Sequence, residues 1–130
     1  MPRISCLAGL QSDETALFGP VLKAAGFPGL ALVAHLNVSE LGKIKPALLV
    51  CDIDALEIDA LEFLRQVRFV LEGSTIVVYT KTMKSSWSVA CHLAGANGLL
   101  LKDSTPAQLT VGVRSAVRSG CFTDPRFAAA

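Results

Sequence analysis

The sequence predicts a doubly wound α/β fold, a five-stranded parallel sheet carrying five helices. Three observations point there. Short apolar runs alternate about five times with segments of helical periodicity, the pattern of a parallel sheet with helices on both faces. The run Ala47–Cys51 is continuously apolar, as a central strand buried on both sides must be. Three of the runs close on a polar residue, Asp52, Thr80 and Lys102. In such folds the carboxyl ends of the strands are where ligands and chemistry collect.

Ile4–Ala8 reads as the first strand. Ser12 is placed to cap the next helix, with Asp13 and Glu14 in its first turn, where negative charge suits the amino-end dipole. Ala16, Leu17, Val21 and Leu22 supply its apolar positions, and Gly26 its end. Pro20 in the interior predicts a kink or a broken first turn. Leu30–Leu36 reads as the second strand and Val38–Ile44 as a short helix stopped by Pro46. Beyond the central run, Asp59–Leu71 repeats apolar residues at Leu61, Leu64, Val67, Phe69 and Leu71, a helical stripe that Gly73 ends. The β-branched run Thr75–Tyr79 is a strand. Ser85–Ala94 is a helix closed by Gly95, and Gly98–Leu101 is the fifth strand. Ser104 is expected to cap the last helix, with Pro106 early in its first turn, running through Leu109, Val113, Ala116 and Val117 to Gly120. Residues 1–120 thus form one domain, and 121–130 reads as a linker.

Composition narrows the function classes. The chain has 130 residues, 52% of them hydrophobic and 18% charged, which suits one well-covered core rather than disorder. A net charge of +1 supplies no field for nucleic acid or membrane. Cys6, Cys51, Cys91 and Cys121 are scattered without a CxxC pair, so reduced thiols are expected rather than disulfides or a zinc site. No secretory leader is evident, and no apolar stretch reaches the roughly 20 residues of a membrane span. The expected location is the cytoplasm.

Four segments, in order, resemble the receiver domain of bacterial response regulators, over residues 3 to 122. Leu48-Leu49-Val50-Cys51-Asp52 followed by Asp59-Ala60-Leu61-Glu62-Phe63-Leu64 is similar to the family's phosphoacceptor strand and the helix after it. The family's seven-residue step survives between Asp52 and Asp59, with Ala60 in place of glycine. Val77-Val78-Tyr79-Thr80 resembles the strand ending in the switch threonine, and Gly95-Ala96-Asn97-Gly98-Leu99-Leu100-Leu101-Lys102-Asp103 the segment ending in the family lysine. Lys-Asp-Ser-Thr-Pro from residue 102, with the tail Ser119 to Arg126, looks like the NarL/FixJ-type subgroup. That likeness implies a flavodoxin-like receiver fold, homodimers, and a helix-turn-helix DNA-binding domain after residue 130.

The resemblance also implies phosphoryl transfer from a histidine kinase to a strand-end aspartate, assisted by magnesium. It makes Asp52 the phosphoacceptor candidate, with Thr80, Lys102 and Leu99 the phosphate-contact and switch positions. The family's adjacent metal-binding acids, however, fall on Ala8 and Gly9, which carry no side-chain oxygen. Asp54 and Asp13 are the substitutes within reach, Asp13 and Glu14 also reading simply as first-turn charges. Asp52 is then better explained as an ionised partner of Lys102, or as a cap for its own loop. Thr80 reads equally as a loop-capping hydroxyl. Leu99 stands where the family has an aromatic switch residue and is expected to stay packed; Lys81 is expected in solvent. His35 in a strand and His92 in a helix are not metal candidates. Trp87 reads either as a partner-facing aromatic or as core, and Arg114 and Arg118 as a solvated face that also serves family dimers.

The expectation is therefore an atypical receiver, not an enzyme, needing no cofactor. It would control a transcriptional output by self-association or protein contact. Magnesium enters only if the alternative holds, a true phosphoacceptor at Asp52. A small-ligand sensor using the vacated pocket is a further reading, and an independent flavodoxin-like enzyme is disfavoured because no phosphate-cradling glycine loop follows the first strand.

Overall fold

Residues 4–55 and 59–129 are described by the computed structural model. Arg3, where the resemblance begins, residues 56–58 within the step from Asp52 to Asp59, and Ala130 lie outside them. In chain order the described elements are β1 (Ile4–Ala8), α1 (Ser12–Ala24), β2 (Gly29–Val33), α2 (Val38–Ile44) and β3 (Leu48–Asp52). They continue as α3 (Ala60–Val70), β4 (Thr75–Thr80), α4 (Ser85–Ala94), β5 (Gly98–Leu101), α5 (Pro106–Ser119) and β6 (Phe122–Thr123), with 3-10 turns at Ile53–Ala55 and Pro125–Ala129. The sheet order is β2-β1-β3-β4-β5-β6, and every neighbouring pair is parallel. This is the expected flavodoxin-like receiver fold with one strand more.

Alternation along the central strands divides the core. Leu48, Val50, Val77, Tyr79 and Leu100 face α1 and α5, where Phe18 meets Tyr79 edge-on with centroids 4.9 Å apart. Leu49, Cys51, Ile76, Val78, Leu99 and Leu101 face the side covered by α2, α3 and α4. Strands buried on both faces gain apolar burial from every residue, which is why the middle of the sheet reads as unbroken hydrophobic runs. Cys6, Cys51 and Cys91 are buried and free, and Cys121 is free and exposed. Burial pushes the Cys6 thiol up to about 11 and that of Cys91 to about 12, so these three act as small apolar side chains.

Several boundaries differ from the sequence expectation, each for a local reason. The cap of α1 is Gln11 rather than Ser12. The helix runs through Pro20 unbroken to Ala24; Pro20 and Ala16 are both exposed, so water can serve the carbonyl whose amide partner is missing. Strand β2 stops at Val33, because Gly9 N–H takes the Val33 carbonyl and β1 turns away at Gly9, φ 76°. His35 therefore sits at an exposed bend, not in a strand. Helix α3 ends before Gly73, at Val70, and Phe69 of its presumed stripe is 88% exposed. The cap of α5 is Thr105, in a capping box with Gln108, a Thr-x-x-Gln signature legible in the sequence. Ser104 instead donates to the Leu101 carbonyl.

The segment read as a linker folds onto the domain in its described part, 121–129. Phe122 and Thr123 pair in register with Gly98 and Leu99. Phe127 is 1% exposed within the core on the α4 side. At Gly112 of α5 a Cβ would stand 2.9 Å from Phe122 Cε2 and 2.4 Å from Leu100 Cδ2, so only glycine lets Phe122 settle against the helix.

Phe127→Ala should lower stability by about 3–5 kcal/mol, the range for emptying a buried phenylalanine site. Phe69→Ala should change it by less than about 0.5 kcal/mol. Urea unfolding of the two variants beside the wild type measures both; equal, small effects would mean that Phe127 is not core.

Candidate functional site

Strand order reverses at β1, which lies between β2 and β3. At such a switch point the carboxyl ends of adjacent strands open a crevice. The first loop, the end of β3 and the loops after β4 and β5 meet there. Asp52, the last residue of β3, is 3% exposed. Its Oδ1 accepts the Asp54 N–H at 3.0 Å, an Asx-type turn that opens the 3-10 segment. Its Oδ2 accepts from Lys102 Nζ at 2.8 Å. Lys102 directly follows β5, and its backbone N–H donates to the Thr80 carbonyl at 2.9 Å, tying its backbone to the end of β4.

Asp54 closes the arrangement. Its Oδ1 accepts from Thr80 Oγ1 at 2.7 Å, and its Oδ2 accepts from the Lys81 N–H at 2.8 Å. The same Oδ2 lies 3.3 Å from Lys102 Nζ. Glu14, in the first turn of α1, accepts from the Gln11 N–H through Oε1 at 3.0 Å and brings Oε2 within 3.7 Å of Lys102 Nζ. One ammonium thus stands where three carboxylates, from the first turn of α1, the end of β3 and the 3-10 turn after it, converge. It also lies 5.7 Å from the Tyr79 ring centroid, within cation–π range. Burial alone would lower the Lys102 pKa, but the Asp52 hydrogen bond and the charges of Asp52, Asp54 and Glu14 outweigh it and hold the value above 10.5. Burial first, and then Glu14, raises the Tyr79 hydroxyl.

The sequence candidates separate clearly. Asp52, Thr80, Lys102 and Asp54 come together, but Thr80 bonds Asp54 rather than Asp52. Leu99 is fully buried in the core away from these polar groups. Asp13 is exposed on α1; its neighbour Glu14 enters the site. The signal for Glu14 was the Gln11-x-x-Glu14 spacing, since a carboxylate at N3 turns back over the helix start. Lys81 contributes its backbone amide while its side chain is exposed. His92 is held by the Ala96 carbonyl and Thr123 Oγ1, at 2.9 and 2.7 Å. Trp87 packs against the core with its indole N–H buried and without a hydrogen-bond partner. Arg114 donates to the Ala24 carbonyl, joining α5 to α1.

The magnesium ion that the resemblance implies finds a poor donor set here. Magnesium demands several oxygens converging in near-octahedral geometry. Ala8 and Gly9 offer no side-chain oxygen, and at residue 9 a Cβ would meet Leu36 Cγ at 3.2 Å with the backbone left-handed. Both Asp52 oxygens and both Asp54 oxygens already accept hydrogen bonds. Among the described residues no group of three or more His, Cys, Asp or Glu is arranged to hold a metal ion. The residues present do not fit a resident divalent ion.

Lys102→Met should destabilise the protein by about 1.5–3 kcal/mol, the scale of a hydrogen bond to a charged group. Because the folded pKa of Lys102 is raised, its contribution is fully present below pH 10.5 and is lost as pH climbs through the higher folded value. The gap between wild type and variant, followed by urea unfolding, should hold at neutral pH and close in strong alkali.

No protein-family model matches the chain, and no curated protein matches its sequence. Solved structures do. A two-component response regulator of the LuxR family from Aurantimonas sp. SI85-9A1 aligns with a TM-score of 0.73 at 22% identity, covering 98% of this chain and 92% of that one. The isolated REC domain of RcsB from Salmonella enterica serovar Typhimurium, in the presence of phosphomimetic BeF3-, aligns with a TM-score of 0.77 at 14% identity, covering 99% and 98%. A putative pilus assembly-related protein from Burkholderia pseudomallei K96243 gives a TM-score of 0.73 at 16% identity, covering 92% of each. From β1 to the last 3-10 turn, the chain has the fold of response-regulator receiver domains.

Proposed function

We propose that this chain is an atypical receiver domain that controls the output of a two-component-type transcriptional regulator, with metal-dependent phosphorylation weak or absent. The observation that carries this reading is at the end of β1, where Ala8 has no side-chain oxygen and a Cβ at Gly9, φ 76°, would meet Leu36 Cγ at 3.2 Å. Phosphoryl transfer to a carboxylate needs cationic charge at the transferring group and an attacking oxygen free to align with it. Here the cation is built into the chain, and both oxygens of Asp52 are engaged. Thr80, the residue that would contact the phosphoryl group, donates to Asp54.

The domain then acts as a binding module and not as an enzyme. Its output is a shift in population between surfaces offered to a second copy, a histidine kinase or another regulator protein. A DNA-binding domain following residue 130 would carry the contact with DNA. The likeness to LuxR-family regulators supports that arrangement, while the putative pilus assembly-related protein has the same fold, so the fold alone does not dictate a DNA output. The cytoplasm is the proposed location; among the described residues no helix is long and apolar enough to cross a membrane.

The rival reading is a true phosphoacceptor at Asp52, served by Asp54 or Asp13. Thermal melts with magnesium, and with magnesium plus beryllofluoride, separate the two. The wild type should melt unchanged in both. A rise of several degrees that Asp52→Ala abolishes would establish the phosphoacceptor and overturn the proposal. Gly9→Asp, which returns one missing acid, should lower the melting temperature and still not confer a magnesium-dependent shift, because φ 76° and Leu36 oppose a side chain there.

A further inference from the structure

The loop after β5 is shared between the acidic site and the C-terminal segment. Lys102 reaches into the site, while the next two residues hold the tail. Arg126 Nη1 donates to Asp103 Oδ1 at 2.7 Å, and Nη2 donates to Ser104 Oγ at 2.6 Å. Ser104 Oγ in turn donates to the Leu101 carbonyl at 2.7 Å. Asp103 is one of two non-glycine residues among those described that have positive φ, at 78°. A strained residue of this kind persists only where its surroundings over-determine it. Asp103 is exposed, and its carboxylate is held by Arg126.

The tail itself is clamped by several independent contacts. Arg126 also binds Asp124 through Nε and Nη2, at 3.1 and 2.9 Å. The Arg126 hydrogen bond holds the Asp124 carboxyl below its usual range. The Asp124 N–H donates to the Leu99 carbonyl at 3.1 Å, the Phe122 N–H to the Asn97 carbonyl at 2.8 Å, and Phe127 fills the core. Since the Ala96 carbonyl can only accept, His92 Nδ1 donates to it, and Nε2 lies 2.7 Å from Thr123 Oγ1.

We propose that residues 121–129 form a clip whose seating is linked to the caging of Lys102, the two making one opening unit through the Lys102-Asp103-Ser104 loop. With the clip seated, Arg126 fixes Asp103 and Ser104, and Lys102 is aimed at Asp52. With the clip released, the edge of β5 is uncovered, Asp103 loses its ion pair and Ser104 its Arg126 contact, and Lys102 is freed from the acids. The link runs equally in reverse, as any coupling between two sites must. A partner that draws Lys102 away from the acids therefore loosens the segment leading to whatever follows residue 130.

This rests on the receiver reading for what the link is used for. The link itself is tested in the protein alone, without magnesium or beryllofluoride, so a failure here and a failure of that reading are separate results. The measurement is residue-resolved amide hydrogen exchange of the wild type, Lys102→Met, Arg126→Gln and Asp103→Asn. Asparagine tolerates the left-handed backbone at residue 103 while giving up the ion pair, so it is the variant least able to disturb folding. Reporters on the clip are the amides of Phe122, Asp124 and Phe127; those on the cage are Asp54, Lys81 and Lys102. Each variant should speed exchange by roughly 5-fold or more at both sets, and in the wild type both sets should open more readily than the β3 amides. Faster exchange confined to the side that carries the substitution overturns the link. Wild-type β3 amides that exchange as readily as those of clip and cage overturn it too, since all three would then open only with the whole domain.

Discussion

The ammonium of Lys102 is the interaction on which the rest of the candidate site depends. Three carboxylates gathered from the first turn of α1, the end of β3 and the following 3-10 turn would repel one another in a crevice this sheltered. The lysine makes that gathering tolerable, at 2.8 Å from Asp52 and 3.3 Å from Asp54. Each acid is also given a directional partner, so charge neutralisation and geometry are supplied together. Asp52 takes the amide of Asp54, Asp54 takes Thr80 and the amide of Lys81, and Glu14 takes the amide of Gln11.

The backbone agrees with the side chains. Had only the acids of the first strand been replaced, returning them would be a matter of chemistry. Gly9 instead adopts φ 76°, and Leu36 packs where a side chain at that position would begin. The same turn at Gly9 ends the pairing of β1 with β2 at Val33. Residue 9 thus combines the lack of a side chain with a left-handed backbone. A side chain at Gly9 would be strained, because the backbone there is left-handed and Leu36 Cγ would lie 3.2 Å from its Cβ.

The C-terminal segment changes the picture of the sheet edge. An open β5 would present unpaired backbone groups, a template for unwanted pairing. Phe122 and Thr123 cover it, Gly112 admits the phenylalanine, and Arg126 closes the end. The result is a domain whose β5–α5 loop and residues 121–129 share their contacts.

Most of the fold was legible in the sequence, because its signals are local. Apolar runs of strand length, helical stripes and Gly95 depend on backbone conformation and on burial of one face, and both are written over a few consecutive residues. By the same signals, α2, α4, β1 and β5 fall on their expected boundaries. The strand-end positions of Asp52, Thr80 and Lys102 were legible for the same reason. Tertiary structure alone decided which atoms those residues engage: that Thr80 turns to Asp54 and that the Glu14 carboxylate reaches Lys102. It also decided that 121–129 belongs to the domain. Those outcomes depend on side chains up to 50 residues apart competing for one partner, on a helix start that points adjacent acids in different directions, and on a groove that exists only once α4, α5 and β5 have assembled. No stretch of sequence contains that geometry until the sheet brings the ends of its strands together.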